Sequence, residues 1–349
     1  MRVFQFPAVF LVVMIMEMSS IADQPVTRGY PESVERVEFV SAGDKSLQPA
    51  LFWKPAEKSG KVPLLVALHT WSYDFTQSGN EVYYSDWCQQ MGWAFIHPNF
   101  RGPNWTPEAM GSDLAVADVL SAVEFAKQEA SIDEARIYLI GVSGGGHMSL
   151  LMAGRAPKLW AGVSAWCGIS DIAAWHQQCT ANEQFVRYAE HIELALGGSP
   201  ADDPDRLQSA RNRSPLTWLS AASGVPLDIN HGVHDGRIGS VPFSHSLQAW
   251  NAVVPESGRL SAPVMAGFYE TQKAPVPFAG TDELYGSRQP VFRQANGNTR
   301  LTIFEGGHEI IHEAALNWLA SQRRGQGAVW DVEKIAELAT DDAATESGK

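Results

Sequence analysis

Basic charge is scarce in this chain: 26 Lys and Arg stand against 39 Asp and Glu among 349 residues, a formal charge of -13. No basic patch or arginine-rich run is present to neutralise phosphates, which argues against nucleic-acid binding. Cysteine is scarce too, with three in all. In an exported chain these allow at most one intrachain disulfide and leave one thiol over. Cys167 and Cys179 are the pair expected, since both fall in a polar, aromatic stretch after a strand; two unbonded buried thiols are the alternative. Cys88, beside Trp87 and Met91, has the surroundings of a core residue. Beyond the first residues there is no long apolar run, so no later segment is expected to cross a membrane. No internal repeat is evident.

The N-terminus has the three parts of an export signal: Arg2, an apolar run over 7–16, and small residues at Ser20-Ile21-Ala22. Cleavage after Ala22 is expected, which implies a secreted or periplasmic protein with no stable membrane span; an uncleaved anchor is the alternative. With 45% of its residues hydrophobic, the rest can bury a substantial core.

Strand patterns fall near 37–40, 50–53, 63–68, 93–97, 137–140, 161–165, 226–230 and 301–304. Helical patterns fall near 81–91, 114–129, 148–155, 243–253 and 308–321. The run Leu64-Leu65-Val66-Ala67-Leu68 is apolar throughout, as expected for a parallel strand covered on both faces. In the helix at 114–129, Leu114, Ala117, Leu120 and Val123 mark the expected buried stripe. Alternation of this kind predicts a doubly wound, mostly parallel α/β sheet. One domain is expected over 30–324. Two long connections depart from simple alternation: 171–224, a candidate helical lid with a helix at 183–196, and 255–298, a second insertion. The acidic tail at 325–349 is expected to be a short helix followed by disorder.

Gly141-Val142-Ser143-Gly144-Gly145 is a G-x-S-x-G sequence between a strand and a helix. A serine in that turn is pushed out of the sheet into an exposed, strained position, the setting of a nucleophile. Acyl transfer also needs a base, an anion to orient it and donors for the oxyanion. Asp235 follows the strand at 226–230 and His308 follows the strand at 301–304, so Ser143, Asp235 and His308 occur in the order such a sheet requires. Asp228 and Asp171 are weaker candidates for the acid. His147 and His234 are expected to be scaffold, and His69 to close the third strand.

These residues carry a resemblance. Asp133 and Arg136 through Gly145, the loop Asn99-Phe100-Arg101-Gly102, the run His231 to Asp235 with Val241-Pro242, and Gly307-His308 together resemble an α/β-hydrolase of the prolyl oligopeptidase-like branch. The likeness spans residues 60–320 and implies the α/β-hydrolase fold, with Ser143 as nucleophile, Asp235 as orienting acid and His308 as general base. Peptidases of that branch also carry a large N-terminal β-propeller, which the short stretch before the third strand does not supply. That departure favours a small-ester hydrolase, with a small peptidase acting on peptides or aminoacyl amides as the alternative. His69-Thr70-Trp71-Ser72 also lacks an H-G-G-type oxyanion loop. The donors expected are the amide of Gly144 and that of either Thr70 or Trp71.

A rival pattern is His308-Glu309-Ile310-Ile311-His312, an H-E-x-x-H sequence that binds zinc when it lies on a helix, with Glu333 a possible third ligand. The metal reading would leave the ordered Ser143 and Asp235 turns as coincidence, so no metal and no cofactor are expected. Trp105 and Trp166 follow strands at the end of the sheet where ligands bind, and are candidates to line the pocket. Arg101 is a candidate to hold a substrate carboxylate or, alternatively, to pin its own loop. The reading from sequence is a serine hydrolase with a small ester or peptide substrate. A catalytically silent binding protein of the same fold is the alternative from another class.

Overall fold

The structure is a computed structural model that describes residues 29–56 and 60–335. The export signal expected at 1–22 and the tail after 335 lie outside the described residues. One nine-stranded sheet organises the chain. Its strands are β1 (Glu35–Val40), β2 (Leu47–Trp53), β3 (Val62–Leu68), β4 (Ala94–Pro98), β5 (Ile132–Val142), β6 (Gly162–Trp166), β7 (Leu227–Gly232), β8 (Pro290–Asn296) and β9 (Thr299–Phe304). The spatial order is β1-β2-β4-β3-β5-β6-β7-β9-β8. From β4 through β9 the neighbours run parallel, and β1, β2 and β8 supply antiparallel edges.

Alternation along β3 shows how the sheet is covered. Leu64, Val66 and Leu68 join one core cluster, whereas Leu65 and Ala67 join the cluster on the other face. Because side chains alternate across a strand, burial on both faces is what an unbroken apolar run encodes. Helices α1 (Asn80–Met91), α2 (Asp113–Glu129) and α3 (Gly144–Arg155) follow β3, β4 and β5. Helix α2 buries Ala115, Val116, Val119, Ala122, Val123 and Ala126; of the expected stripe Val123 is buried and Leu120 packs half-buried on the same core, while Leu114 and Ala117 are half-buried. The buried face is displaced from the expected stripe because small alanines let a helix approach the sheet closely, and size is not read by periodicity.

The connection at 171–224 folds as α4 (Ile172–Thr180), α5 (Val186–Leu196) and α6 (Pro204–Asn212). These helices share a core of their own that includes Ile172, Trp175, Ile192 and Ala210 and is anchored on Trp71 and Val241. Helices α7 (Ser244–Val253) and α8 (Ala262–Thr271) come next. The stretch at 255–298 is only partly an insertion, because it ends in β8, paired antiparallel with β9. That strand escaped detection because it lies at an edge with one face half-open, so Val-Phe-Arg-Gln-Ala lacks a continuous apolar run. The last helix, α9 (His312–Ala320), starts later than expected. Residues 325–335 form no helix; Trp330 stacks on Trp318 at 5.6 Å and lies on the Arg300 guanidinium.

Cys167 and Cys179 are both free and buried, as is Cys88, so the expected disulfide is absent. The Cys167 thiol points at the Glu309 and Gly307 carbonyls, while Cys179 packs inside the core shared by α4, α5 and α6. Among the described residues no helix is long and apolar enough to cross a membrane.

Candidate active site

Ser143 stands at the junction of β5 and α3 with φ 60° and ψ -118°, a left-handed conformation that costs a non-glycine residue energy. Its amide donates to Trp166 O at 2.9 Å and its carbonyl accepts from His147 N at 2.8 Å, so the strained turn is held at both ends. The surrounding glycines permit close backbone approach. A Cβ on Gly141 would lie 2.8 Å from the Gly145 Cα, and one on Gly144 would lie 2.6 Å from the Trp71 Cα.

Asp235 and His308 arrive from the loops after β7 and β9. His308 Nδ1 lies 2.6 Å from Asp235 Oδ2. An ionised carboxylate only accepts, so Nδ1 carries the hydrogen and Nε2 is left as the base. Asp235 is wholly buried, yet its oxygens are filled: Oδ2 also meets His231 Nε2 at 2.9 Å, and Oδ1 accepts the amides of Gly236 at 2.9 Å and Val241 at 3.2 Å. Burial alone would raise its pKa. The hydrogen bonds from His231 and His308 outweigh burial and hold the carboxyl well below the usual carboxylate range.

The two candidates for the second oxyanion donor are separated by their partners. Thr70 N donates to Gln77 Oε1 at 2.9 Å and is occupied. Trp71 N has no acceptor among the described residues and packs against Gly144. The peptide that carries the Trp71 amide is held from behind by His69 Nδ1, 2.9 Å from Thr70 O. Gly144 and Trp71 are therefore the pair of amides that could receive an oxyanion.

A cavity of about 320 Å³ opens beside these groups, lined by Thr70, Trp71, Tyr73, Ser143, Tyr188 and His308 among others. Its wall is completed by Asn80, Val142, Glu309 and Ile310. Two aromatic candidates from the sequence are not on it. Trp166 is fully buried within β6, its indole on Ser164 Oγ and its ring against Phe304 and Tyr285. Trp105 packs on His191 of α5 at 4.6 Å. Both follow strand ends in sequence, but side-chain direction turned them into packing.

Arg101 pins its own loop. Its guanidinium bonds Asp118 at 2.7 Å and Asp44 at 2.8 Å, which ties the loop to α2 and the β1–β2 turn, with all three nitrogens engaged there. Asp228 is ion-paired with Arg300 at 2.8 Å inside the sheet, and Asp171 caps α4 by accepting from Ala174 N. His147 donates to the Arg213 carbonyl and His234 pairs with Glu305, both scaffold contacts.

The H-E-x-x-H pattern falls apart in space. His308 to Ile311 precede α9, which begins only at His312. The helical spacing that would put both imidazoles on one face is therefore missing. His312 Nε2 bonds Asn80 Oδ1 at 2.9 Å and its ring stacks on Tyr83 at 4.2 Å. Glu309 folds back onto the Gly307 amide at 3.0 Å and faces Arg288. Cys167, His231 and Asp235 do bring three donor atoms within 4.8 Å of one another. Their donors are engaged in hydrogen bonds to one another and to backbone carbonyls.

No site role is expected from sequence for His231, Gln77, Tyr188 or Asn80. The first stands in the His231-Gly232 motif, which could have pointed to it; the others had no signal beyond residue type.

Comparison with known proteins adds to this geometry. Residues 82–265 match the profile of the prolyl oligopeptidase family. Acylamino-acid-releasing enzyme 2 of Oryza sativa subsp. japonica is 25% identical over 237 residues, 63% of this chain and 29% of the rice protein. An uncharacterized peptidase of Bacillus subtilis is 24% identical over 184 residues, 52% of this chain and 64% of its own length. The chain thus spans less than two thirds of either relative. Among solved structures, puromycin hydrolase aligns with a TM-score of 0.50 at 18% identity, covering 68% of this chain and 35% of that one, a likeness of fold.

Proposed function

Because the chain belongs to the prolyl oligopeptidase family of serine hydrolases, we propose that it is a serine peptidase cleaving short peptides or aminoacyl amides through an acyl-enzyme on Ser143. The observation that carries this reading is the convergence of Ser143, His308 and Trp71 on one cavity, with the Gly144 backbone packed against the Trp71 amide beside it. His308 Nε2 takes the serine proton as Oγ attacks the acyl carbon, then returns it to the leaving amine. Asp235 stabilises the imidazolium, and the amides of Gly144 and Trp71 receive the oxyanion. Water repeats the sequence to release the acid.

The ester-hydrolase reading gives way to the peptidase one, because the rice and Bacillus relatives are named for amino-acid release and for peptidase activity. The cavity disfavours an anionic acyl residue: Trp71, Val142, Tyr188 and Ile310 are apolar or aromatic, Glu309 stands on the wall, and no Lys or Arg is among the described lining residues. Its volume suits one residue with its blocking group rather than a long chain.

Fluorophosphonate labelling together with a substrate panel tests this. Labelling of Ser143, with aminoacyl and N-acylaminoacyl amides turned over at rates within reach of the matched aryl esters, is expected. Hydrolysis of esters alone, with amides inert, would return the protein to the esterase class. Absence of labelling in folded protein would remove the serine mechanism altogether.

A further inference from the structure

Asp235 is held by two histidines, and only His308 lines the cavity. The other, His231, is wholly buried on β7. Its Nε2 lies 2.9 Å from Asp235 Oδ2 and 3.0 Å from Val241 O, and its Nδ1 lies 2.7 Å from Ser246 Oγ. A carbonyl can only accept, so the hydrogen is on Nε2 and is shared between Val241 O and the carboxylate. With the hydrogen on Nε2, Nδ1 accepts the Ser246 hydroxyl. Val241 closes the circuit, since its amide donates to Asp235 Oδ1 at 3.2 Å while its carbonyl takes the His231 hydrogen.

We propose that His231 is a positioning residue of the active site: anchored by Ser246, its Nε2–H holds Asp235 Oδ2 where His308 meets it and moderates the negative charge that His308 feels. This rests on the reading of Ser143, Asp235 and His308 as a triad. Without His231, the buried Oδ2 would keep a lone pair with no donor, and its full charge would fall on His308. The imidazolium would then be stabilised too strongly and the base would be protonated up to higher pH.

Other ionisable groups face this pair from neighbouring elements. They are the Cys167 thiol at the end of β6, His245 on α7 and Tyr269 on α8. Burial pushes the thiol and phenol up and pulls His245 down to about 3, so all are neutral near pH 7. The charged side chains on the flanking loops are engaged elsewhere, Arg237 on the Tyr269 carbonyl and Glu309 on Gly307 and Arg288.

The test measures the pH dependence of fluorophosphonate labelling for the full chain and for His231→Phe, His231→Gln and Ser246→Ala. An unlabelled wild-type protein would refute the triad reading itself and this inference with it. Given labelling, His231→Phe is expected to slow it about 10-fold or more and to move the acid limb up by roughly half to one pH unit. His231→Gln, whose amide nitrogen can occupy the Nε2 position, should recover most of the rate and return the limb. Ser246→Ala should move the limb upward by less. The proposal is overturned if folded His231→Phe labels within about threefold of wild type with an unmoved limb, or if Phe and Gln lose activity equally with no shift. Should His231→Phe fail to fold, an unchanged rate and limb in Ser246→Ala would overturn it equally.

Discussion

The backbone of Gly144 rests on the turn at Trp71 so closely that a side chain at residue 144 would lie 2.6 Å from the Trp71 Cα. The gap between the two amides is where an oxyanion would sit, and only glycine leaves it open. Gly144→Ala is therefore expected to lower kcat by about 100-fold or more, the scale of losing an oxyanion donor. Circular dichroism should remain native. A variant with near wild-type turnover would show that the oxyanion is bound elsewhere.

Arg101 separates a substrate role from a structural one. Asp118 is fully buried, and beyond the Arg101 guanidinium it has the Ser41 hydroxyl at 2.5 Å. Burial works to raise the Asp118 pKa, and Arg101 opposes it. Arg101→Met should cost on the order of 3 kcal/mol in denaturant unfolding, because a buried carboxylate loses its partner. KM should change less than about threefold, well short of the loss expected of a residue that binds substrate. A large rise in KM with unaltered stability would restore the substrate-binding reading.

Glu81 opens α1 beside the cavity-lining Asn80, fully buried with neither oxygen hydrogen-bonded. Burial pushes its carboxyl up to about 8. The folded chain thus keeps the proton to about pH 8, whereas the unfolded chain gives it up near 4.5. Its contribution to stability is full below pH 4.5 and is lost as pH rises from there to 8. Glu81→Gln should flatten that decline by a few kcal/mol, about 1.4 per pH unit, in unfolding measured across the range. An unchanged slope would mean that the carboxyl ionises normally.

The divided H-E-x-x-H pattern predicts indifference to chelators. Prolonged treatment with 1,10-phenanthroline should leave labelling and turnover within about twofold, since no zinc site of the usual ligand geometry forms at His308 and His312. Loss of activity with restoration by added zinc would reverse this.

Much of the site was legible because its chemistry is local. The glycines at 141, 144 and 145 announce a tight strand-to-helix turn, and Asp235 and His308 each follow a strand, as the order of such sheets demands. The helical insertion at 171–224 was legible as excess length between strands, and the parallel core as unbroken apolar runs such as the one in β3. The failures share a physical cause. Trp166 and the expected Cys167–Cys179 bridge follow from sequence neighbourhood, whereas a side chain's role depends on which way it points and what packs opposite it. β8 was missed because an edge strand buries too little to leave a pattern.

Chain order and local turn chemistry, then, were enough to determine a doubly wound α/β sheet with Ser143, Asp235 and His308 in the order of a candidate triad. Tertiary structure decided the rest: that Gln77 claims the Thr70 amide and leaves Trp71 free, that His308 and His312 part company before the helix begins, and that His231 reaches Asp235 from inside the fold. Each of these depends on hydrogen-bond direction between groups brought together by packing, and direction is a property of the folded chain.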